Sequence, residues 1–297
     1  MNIGQRLVLG TAQLGMPYGI ANKTGRPDLE TATEIVRVAW ELGIREFDTA
    51  QGYGMSEQTL GEAFSRIGIS EEVRVITKFE PDLDPLDRRT MEAAVDESLR
   101  RLRVPCLFGV LLNAGEKLSA WEKGAFNVLS DFILAGKVRH WGVTVYSPKD
   151  ALTALHTNGI DILQLPTNIF DRRFEREGVF HLATTEQKRI YIRSVFLQGL
   201  ILMTADNLPP GMPYARPVLE QLDSLSTGTG LSRQEIAMGY VKSAMPDAQV
   251  VIGAETPTQV EENVWKWDAA VPDGLCDRVR AAFPSVSERI LNPSLWL

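Results

Sequence analysis

The chain has 297 residues, 44% hydrophobic and 23% charged, with a formal net charge of −7. Those proportions suit a globular protein with a full-sized core, and the acidic balance argues against nucleic acid as the main partner. No apolar run approaches the roughly 18 residues that span a bilayer, so no membrane partner is expected.

The opening stretch, "MNIGQRLVLGTAQLG", is too short in apolar length and too broken by glycine for a signal peptide. Cys106 and Cys276 lie far apart, without metal-ligand spacing. They read as two core thiols of a cytoplasmic protein, with no disulfide framework and no metal site.

Short apolar runs then recur along the chain. In order they are Arg6 to Leu14, Ile44 to Ala50, Val73 to Phe79, Leu107 to Asn113, His140 to Tyr146, Asp161 to Asn168, Arg189 to Phe196 and Ala248 to Gly253. Each is mostly continuous rather than alternating and rich in Val, Ile and Leu, as strands buried on both faces of a parallel sheet should be. Helical stretches separate them. Leu29, Ala32, Ile35, Ala39 and Leu42 form one stripe, stopped by Gly43. Met91, Val95, Leu99 and Leu102 form another, which makes the arginines of "ESLRRLRV" a solvated face. Ser147 before Pro148, with Asp150 three residues on, reads as a capping-box start, and Gly159 as the end of that segment. "SRQE" from Ser232 and "TPTQ" from Thr256 are further capping boxes.

Eight strands with intervening helices place the chain in the α/β class and favour a (β/α)8 TIM barrel over an open doubly wound sheet. No linker or composition break appears, so residues 1–297 are read as a single domain. The open dinucleotide fold also wants G-x-G-x-x-G directly after its first strand. The nearest candidate, Gly52-Tyr53-Gly54, follows the second strand and has Glu57 at the sixth position.

Barrel active sites sit at the C-terminal strand ends. Those ends carry Thr11, Asp48, Lys78, Asn113, Thr144, Gln164 with Asn168, Arg193 with Ser194, and the Gly253 region. Asp48 and Lys78 end consecutive strands, so their side chains can meet across about 5 Å of sheet spacing. A plain ion pair closing the barrel mouth would account for them. Tyr53, five residues past Asp48, adds chemistry. An ammonium about 4 Å from a phenol, at an effective dielectric near 20, favours the phenolate by roughly 4 kcal/mol. That eases proton release, as a general acid near neutrality requires. Asp48 would keep Lys78 protonated and aimed.

The stretches "LGTAQLG", "FDTAQGYG", "VITKF", "DESLRRLRV", "LQLPTNIFD" and "VVIGAETPTQVEENV" occur in an order that resembles the aldo-keto reductase superfamily across essentially the whole chain. The resemblance implies a (β/α)8 barrel, a nicotinamide cofactor and a tetrad of Asp, Tyr, Lys and His. Asp48, Tyr53 and Lys78 match three of these. The fourth place, at the end of strand four, holds Asn113, as in branches resembling potassium-channel β-subunits. An amide can still donate to a carbonyl oxygen, but it cannot titrate.

For the cofactor, the resemblance implies that Gln164 binds the nicotinamide carboxamide. The usual Ser-Asn pair is reduced to Thr144, and Arg193 takes the place of the stacking aromatic. Ser194, Gln198 and Gly199 would line the pyrophosphate. Thr11, Asp48 and the segment Gly253, Glu255, Thr256, Gln259, Glu262 and Asn263 complete the expected contacts. NADPH is the family default. The missing basic residues between Gly253 and Gln259 make NADH plausible, since Glu255 would repel a 2′-phosphate. Arg216 and Lys266 are the candidates to compensate from elsewhere.

The expected function is an oxidoreductase moving a hydride between NAD(P)H and a carbonyl or sugar substrate. Tyr53 acts as general acid and base, and Tyr18, Tyr53, Asn113 and Trp296 face the substrate. Met16, Pro17, Trp121 and Tyr214 are also available to line the pocket. Two alternatives stay open: an NAD(P)H-binding redox sensor or regulator with negligible turnover, suggested by Asn113, and a Schiff-base aldolase using Lys78. A monomer or weak homo-oligomer is expected.

Overall fold

A computed structural model describes residues 6–296. The eight apolar runs form eight strands: β1 (Leu7–Gly10), β2 (Glu46–Asp48), β3 (Arg74–Lys78), β4 (Leu107–Asn113), β5 (Val138–Thr144), β6 (Ile162–Pro166), β7 (Arg189–Arg193) and β8 (Gln249–Gly253). They pair in chain order and close into a barrel, with β1 parallel to β8 from Leu7↔Val250 to Gly10↔Gly253.

The pleat divides each strand between two cores. Phe47, Val75, Val110, Val143, Leu163, Ile192 and Val250 belong to the large outer cluster shared with the helices. Val8, Ile76, Leu111, Ile162 and Tyr191 form a separate cluster that fills the barrel. Burying each such side chain contributes about 1.5–3 kcal/mol. Glycine makes room where strands crowd. A Cβ on Gly142 would stand 2.2 Å from the Ile162 carbonyl oxygen. Toward the N-terminal strand ends, the buried Glu46 carboxylate accepts from the Tyr191 hydroxyl at 2.7 Å and from Arg74 Nη1 at 3.0 Å. Burial, reinforced by the Glu46 charge, pushes the Tyr191 phenol well above its ordinary range, so it stays a neutral donor.

The helices follow from their stripes and caps. Helix Leu29–Glu41 buries Ala32, Ile35, Val36, Val38 and Ala39, and Asp28 caps it through Thr31 N at 2.8 Å. Gly43, at φ 93°, supplies the left-handed residue that ends it. Ser147 caps helix Pro148–Leu155, and Ser232 with Glu235 makes a reciprocal capping box. Thr256 caps helix Pro257–Asp268, but the Gln259 side chain reaches past the cap and accepts from Glu255 N at 2.7 Å.

Three local expectations change. The run Arg6 to Leu14 is a strand only to Gly10; Ala12–Gly15 turns into a short helix. Packing explains the switch, because a Cβ on Gly15 would lie 1.8 Å from Tyr53 O. The loop after β2 therefore rests directly on this turn, with Met55 N donating to Gly15 O at 3.3 Å. Helix Pro148–Leu155 stops before Gly159, which serves the following turn at φ 81°. Cys106 and Cys276 are free and half-buried rather than core. Among the described residues, no helix is long and apolar enough to cross a membrane, and no His/Cys/Asp/Glu group could hold a metal ion.

Candidate active site

Asp48 ends β2 and Lys78 ends β3, one strand apart in the closed barrel. Lys78 Nζ donates to Asp48 Oδ1 and Oδ2 at 2.7 and 2.8 Å, and to Thr49 O at 2.8 Å. All three ammonium hydrogens are thereby used. Gln164, expected at a strand end, lies in the middle of β6, fully buried, and donates Nε2 to Asp48 Oδ1 at 2.7 Å. Burial works against a charge on Lys78. The Asp48 carboxylate, then Tyr53, outweigh burial and hold the ammonium above the usual lysine range.

Tyr53 follows β2 in the loop seated on Gly15, and Lys78 Nζ lies 5.1 Å from its ring centroid. Behind that loop, Thr11 Oγ1 donates to Asp48 O at 2.8 Å and sits 2.8 Å from Ser56 Oγ, while Thr49 Oγ1 reaches the same Ser56 oxygen at 2.9 Å. This buried hydroxyl cluster ties the loops after β1 and β2 together on either side of the Asp48 strand end.

Asp48 and Tyr53 open onto a cleft of about 300 Å³ at the C-terminal strand ends. Thr11, Tyr18, Arg193, Ser194, Gln198 and Gly199 also line it, as do Gly253, Glu255, Gln259, Glu262 and Asn263 from the β8 side. Lys78, Asn113, Thr144, Gln164 and Thr256 stand outside the lining. Lys78 and Gln164 act on the cleft through Asp48. Asn113, half-buried at the β4 end, makes no side-chain cap to the helix that follows, Ala114–Glu122. Its amide is not consumed as a turn cap.

Three aromatics expected near the substrate belong to packing instead. Trp296 is buried in the outer core and its indole N–H donates to Ile290 O at 3.1 Å. The tail folds onto its own short helix rather than over the cleft. Trp121 is in the same core, and Tyr214 lies under the Arg289 guanidinium at 4.0 Å.

The wall after β7 is conformationally unusual. Ser194, Leu197, Gln198 and Gly199 all have φ between 48° and 94°. Non-glycine residues there carry strain that persists when surrounding contacts demand it. The demand comes across the cleft: Ile20 N donates to Gln198 O at 3.0 Å, and a Cβ on Gly199 would lie 2.5 Å from Ala21 Cβ. The loops after β1 and β7 thus touch over the cleft.

Features the sequence reading missed include Gln13, Asn22 and Gln234 in the lining, and the Tyr146 ring beneath Arg193. Gln13 lies within "LGTAQLG", Gln234 within the capping box "SRQE" and Tyr146 at the end of the fifth apolar run, but none of those patterns points to the cleft. Neither proposed compensating cation lines the cleft: Arg216 Nη1 pairs with Asp206 at 3.1 Å, and Lys266 Nζ donates at 2.7 Å to Oε1 of Gln234, which is itself a lining residue. Arg193 is the only lysine or arginine lining the cleft among the described residues.

The lining suits a dinucleotide. Behind the lining, Gln164 Oε1 is a buried acceptor without a protein partner. Gly253 keeps the wall open, since a Cβ there would meet the Gln13 side chain at 2.4 Å.

A family model described as the aldo/keto reductase family matches residues 6–282. Among curated proteins, the chain is 27% identical to the aldo-keto reductase YhdN of Bacillus subtilis (strain 168) over 86% of this chain and 83% of that protein. It is 24% identical to an L-glyceraldehyde 3-phosphate reductase of Escherichia coli O157:H7, over 80% and 78% of the two chains. In fold it resembles the holo form of aldo-keto reductase AKR11C1 from Bacillus halodurans, with a TM-score of 0.78 at 24% identity over 98% of both chains.

Proposed function

Because the chain belongs to the aldo/keto reductase family and is an NAD(P)H-dependent oxidoreductase, we propose that it interconverts a small carbonyl compound and its alcohol with Tyr53 as the proton donor and acceptor. One observation carries this reading: an ammonium held by both oxygens of Asp48 lies 5.1 Å from the ring of a tyrosine that lines the cleft. A nicotinamide cofactor, when bound, would supply or take up the hydride. The protein handles the proton. Asp48 keeps Lys78 charged, and the ammonium stabilises the phenolate that Tyr53 becomes when it protonates a carbonyl oxygen. In the alcohol direction the same phenolate takes the hydroxyl proton. Asn113, half-buried just outside the cleft lining, keeps the role the resemblance gives it, an amide donor to the carbonyl oxygen that does not titrate. A Lys78 held protonated is unsuited to Schiff-base chemistry, which needs the free amine.

Ser194, Gln198, Gly199 and Gly253 of the lining would hold the dinucleotide, and the resemblance gives Gln164, Thr144 and Arg193 the contacts to its nicotinamide. Preference leans to NADH. Glu255 and Glu262 line the β8 side with no opposing lysine or arginine among the described lining residues. Each lost hydrogen bond to a charged phosphate is worth about 1.5–3 kcal/mol. The similarity to an L-glyceraldehyde 3-phosphate reductase supports a short, oxygen-rich carbonyl as substrate.

Fluorescence titration with NADH and NADPH, followed by turnover on a panel of aldehydes, ketones and sugars, tests the reading. NADH binding at least as tight as NADPH, with turnover on some panel member, is expected. A tenfold tighter NADPH would refute the preference. Tight binding without any turnover would replace Tyr53 catalysis with a cofactor-bound regulatory role, the reading that Asn113 favours.

A further inference from the structure

Arg193 is the last residue of β7, and the mechanism above leaves the edge of its guanidinium unused. One face lies over the Tyr146 ring at 4.6 Å, and Nη1 donates to Ser194 Oγ at 3.3 Å. Nη2 is buried and has no acceptor. A charged N–H removed from water without an acceptor is costly, so such a group marks where an acceptor belongs.

The surrounding charges do not supply one. Asp48 is the nearby carboxylate, and it already receives two bonds from Lys78 and one from Gln164. Glu255 and Glu262 lie on the β8 side of the cleft. Asp48 and Lys78 pair with each other, and Arg193 makes no ion pair among the described residues, while those two glutamates keep the β8 side of the same cleft negative. The Arg193 field reaches the reacting end: it opposes the proton on Lys78 and eases ionisation of Tyr18, whose phenol is otherwise pushed up by burial and by Tyr53. Arg193 carries planar, forked donors suited to carboxylate and phosphate oxygens.

We propose that the Nη2 edge of Arg193 anchors an anionic oxygen group on the substrate, so that the enzyme prefers carbonyl compounds bearing a carboxylate or a phosphate over neutral ones. This rests on the reductase reading of the same cleft and adds the substrate's charge to it.

The test compares matched pairs at saturating cofactor: succinic semialdehyde with butanal, and dihydroxyacetone phosphate with dihydroxyacetone. The readout is the ratio of kcat/KM for the anionic over the neutral member, in which effects on cofactor binding cancel. Wild type should favour the anionic member of at least one pair by tenfold or more, mostly through KM. Arg193→Gln should lower that ratio at least tenfold, and Arg193→Lys, which keeps the charge but loses the fork, should fall between. The pair that responds separates carboxylate from phosphate.

Calorimetric titration of succinate, glycerol 3-phosphate and glycerol into the NAD⁺-saturated protein reads the anchor without turnover, and wild type alone should discriminate the anions from glycerol. A wild-type ratio near one in both pairs overturns the proposal, as does an unchanged ratio in Arg193→Gln. So does equal loss on both members alongside weakened NADH binding, which would assign the edge to the cofactor. Arg193-dependent anion binding without turnover of any carbonyl would sustain the anchor and defeat the reductase reading; turnover with unchanged ratios would do the reverse.

Discussion

Replacing Asp48 with asparagine removes one unit charge and little volume from the centre of the site. The Asp48 and Lys78 side chains are 6% and 13% exposed, so water does little to screen the loss. In wild type the two carboxylate oxygens receive three donors, two bonds from Lys78 and one from Gln164. An amide offers one oxygen, and its nitrogen would face the ammonium donor to donor. Removing one partner of a buried pair costs about 3–5 kcal/mol, because the remaining charge is stranded. A chain of 297 residues unfolds with an entropy of roughly 0.6 kcal/mol/K, so the midpoint should fall by about 5–8 °C. Thermal melts by circular dichroism would measure it, in a cycle with Lys78→Met and the double variant. The double variant should lose less than the sum of the singles by about 2 kcal/mol. An Asp48→Asn shift below about 2 °C, or strict additivity, would refute the claim that the pair is a mutually dependent buried unit.

Other outcomes follow from the same geometry. Lys78 is held above its unfolded value near ~10.4, so the stability it adds is complete below that pH. It is lost as pH rises through the higher folded value. Melts taken from pH 9 to 11.5 should show this alkaline loss in wild type and not in Lys78→Met. Gly15→Ala would place a methyl 1.8 Å from Tyr53 O and 2.5 Å from Ser56 N, both backbone atoms that cannot swing aside. The Tyr53 loop must move, and since a displacement near 1 Å can cost about 10²-fold, turnover should drop by that order while NADH affinity changes less. Equal losses in both would indicate global damage instead. Glu255→Lys should raise the NADPH-to-NADH affinity ratio at least tenfold in a fluorescence titration, and an unchanged ratio would remove Glu255 from the cofactor contacts.

The barrel was legible because parallel strands leave a plain signature. Runs such as "LFGVLL" and "VVIG" carry no polar side chain, and each lies within a strand of the barrel. Strand ends were readable where a charged residue broke the run, as Asp48 and Lys78 do. The turn at Ala12–Gly15 was not, because Thr11 to Leu14 is apolar enough to prolong a strand. The loop after β2 rests on that turn at Gly15, a tertiary contact that no local pattern shows. Trp296 looked available for the cleft by type and position near the tail, yet its contact with Ile290 depends on how the tail folds back. Gln234 and Asn22 reach the cleft from elements far apart in sequence, and no local pattern announces such convergence. The uncommitted edge of Arg193 is also a tertiary property, set by Tyr146 and Ser194 taking its other contacts.

Single-turnover measurement on Tyr53→Phe would probe the proton-transfer role most directly. That change deletes one oxygen and leaves the aromatic ring that faces Lys78. With NADH bound and a carbonyl that wild type reduces, the hydride-transfer rate should fall by about 10²–10⁴-fold, with cofactor affinity nearly unchanged. A variant that reduces the same carbonyl at close to the wild-type rate would show that the proton comes from another group.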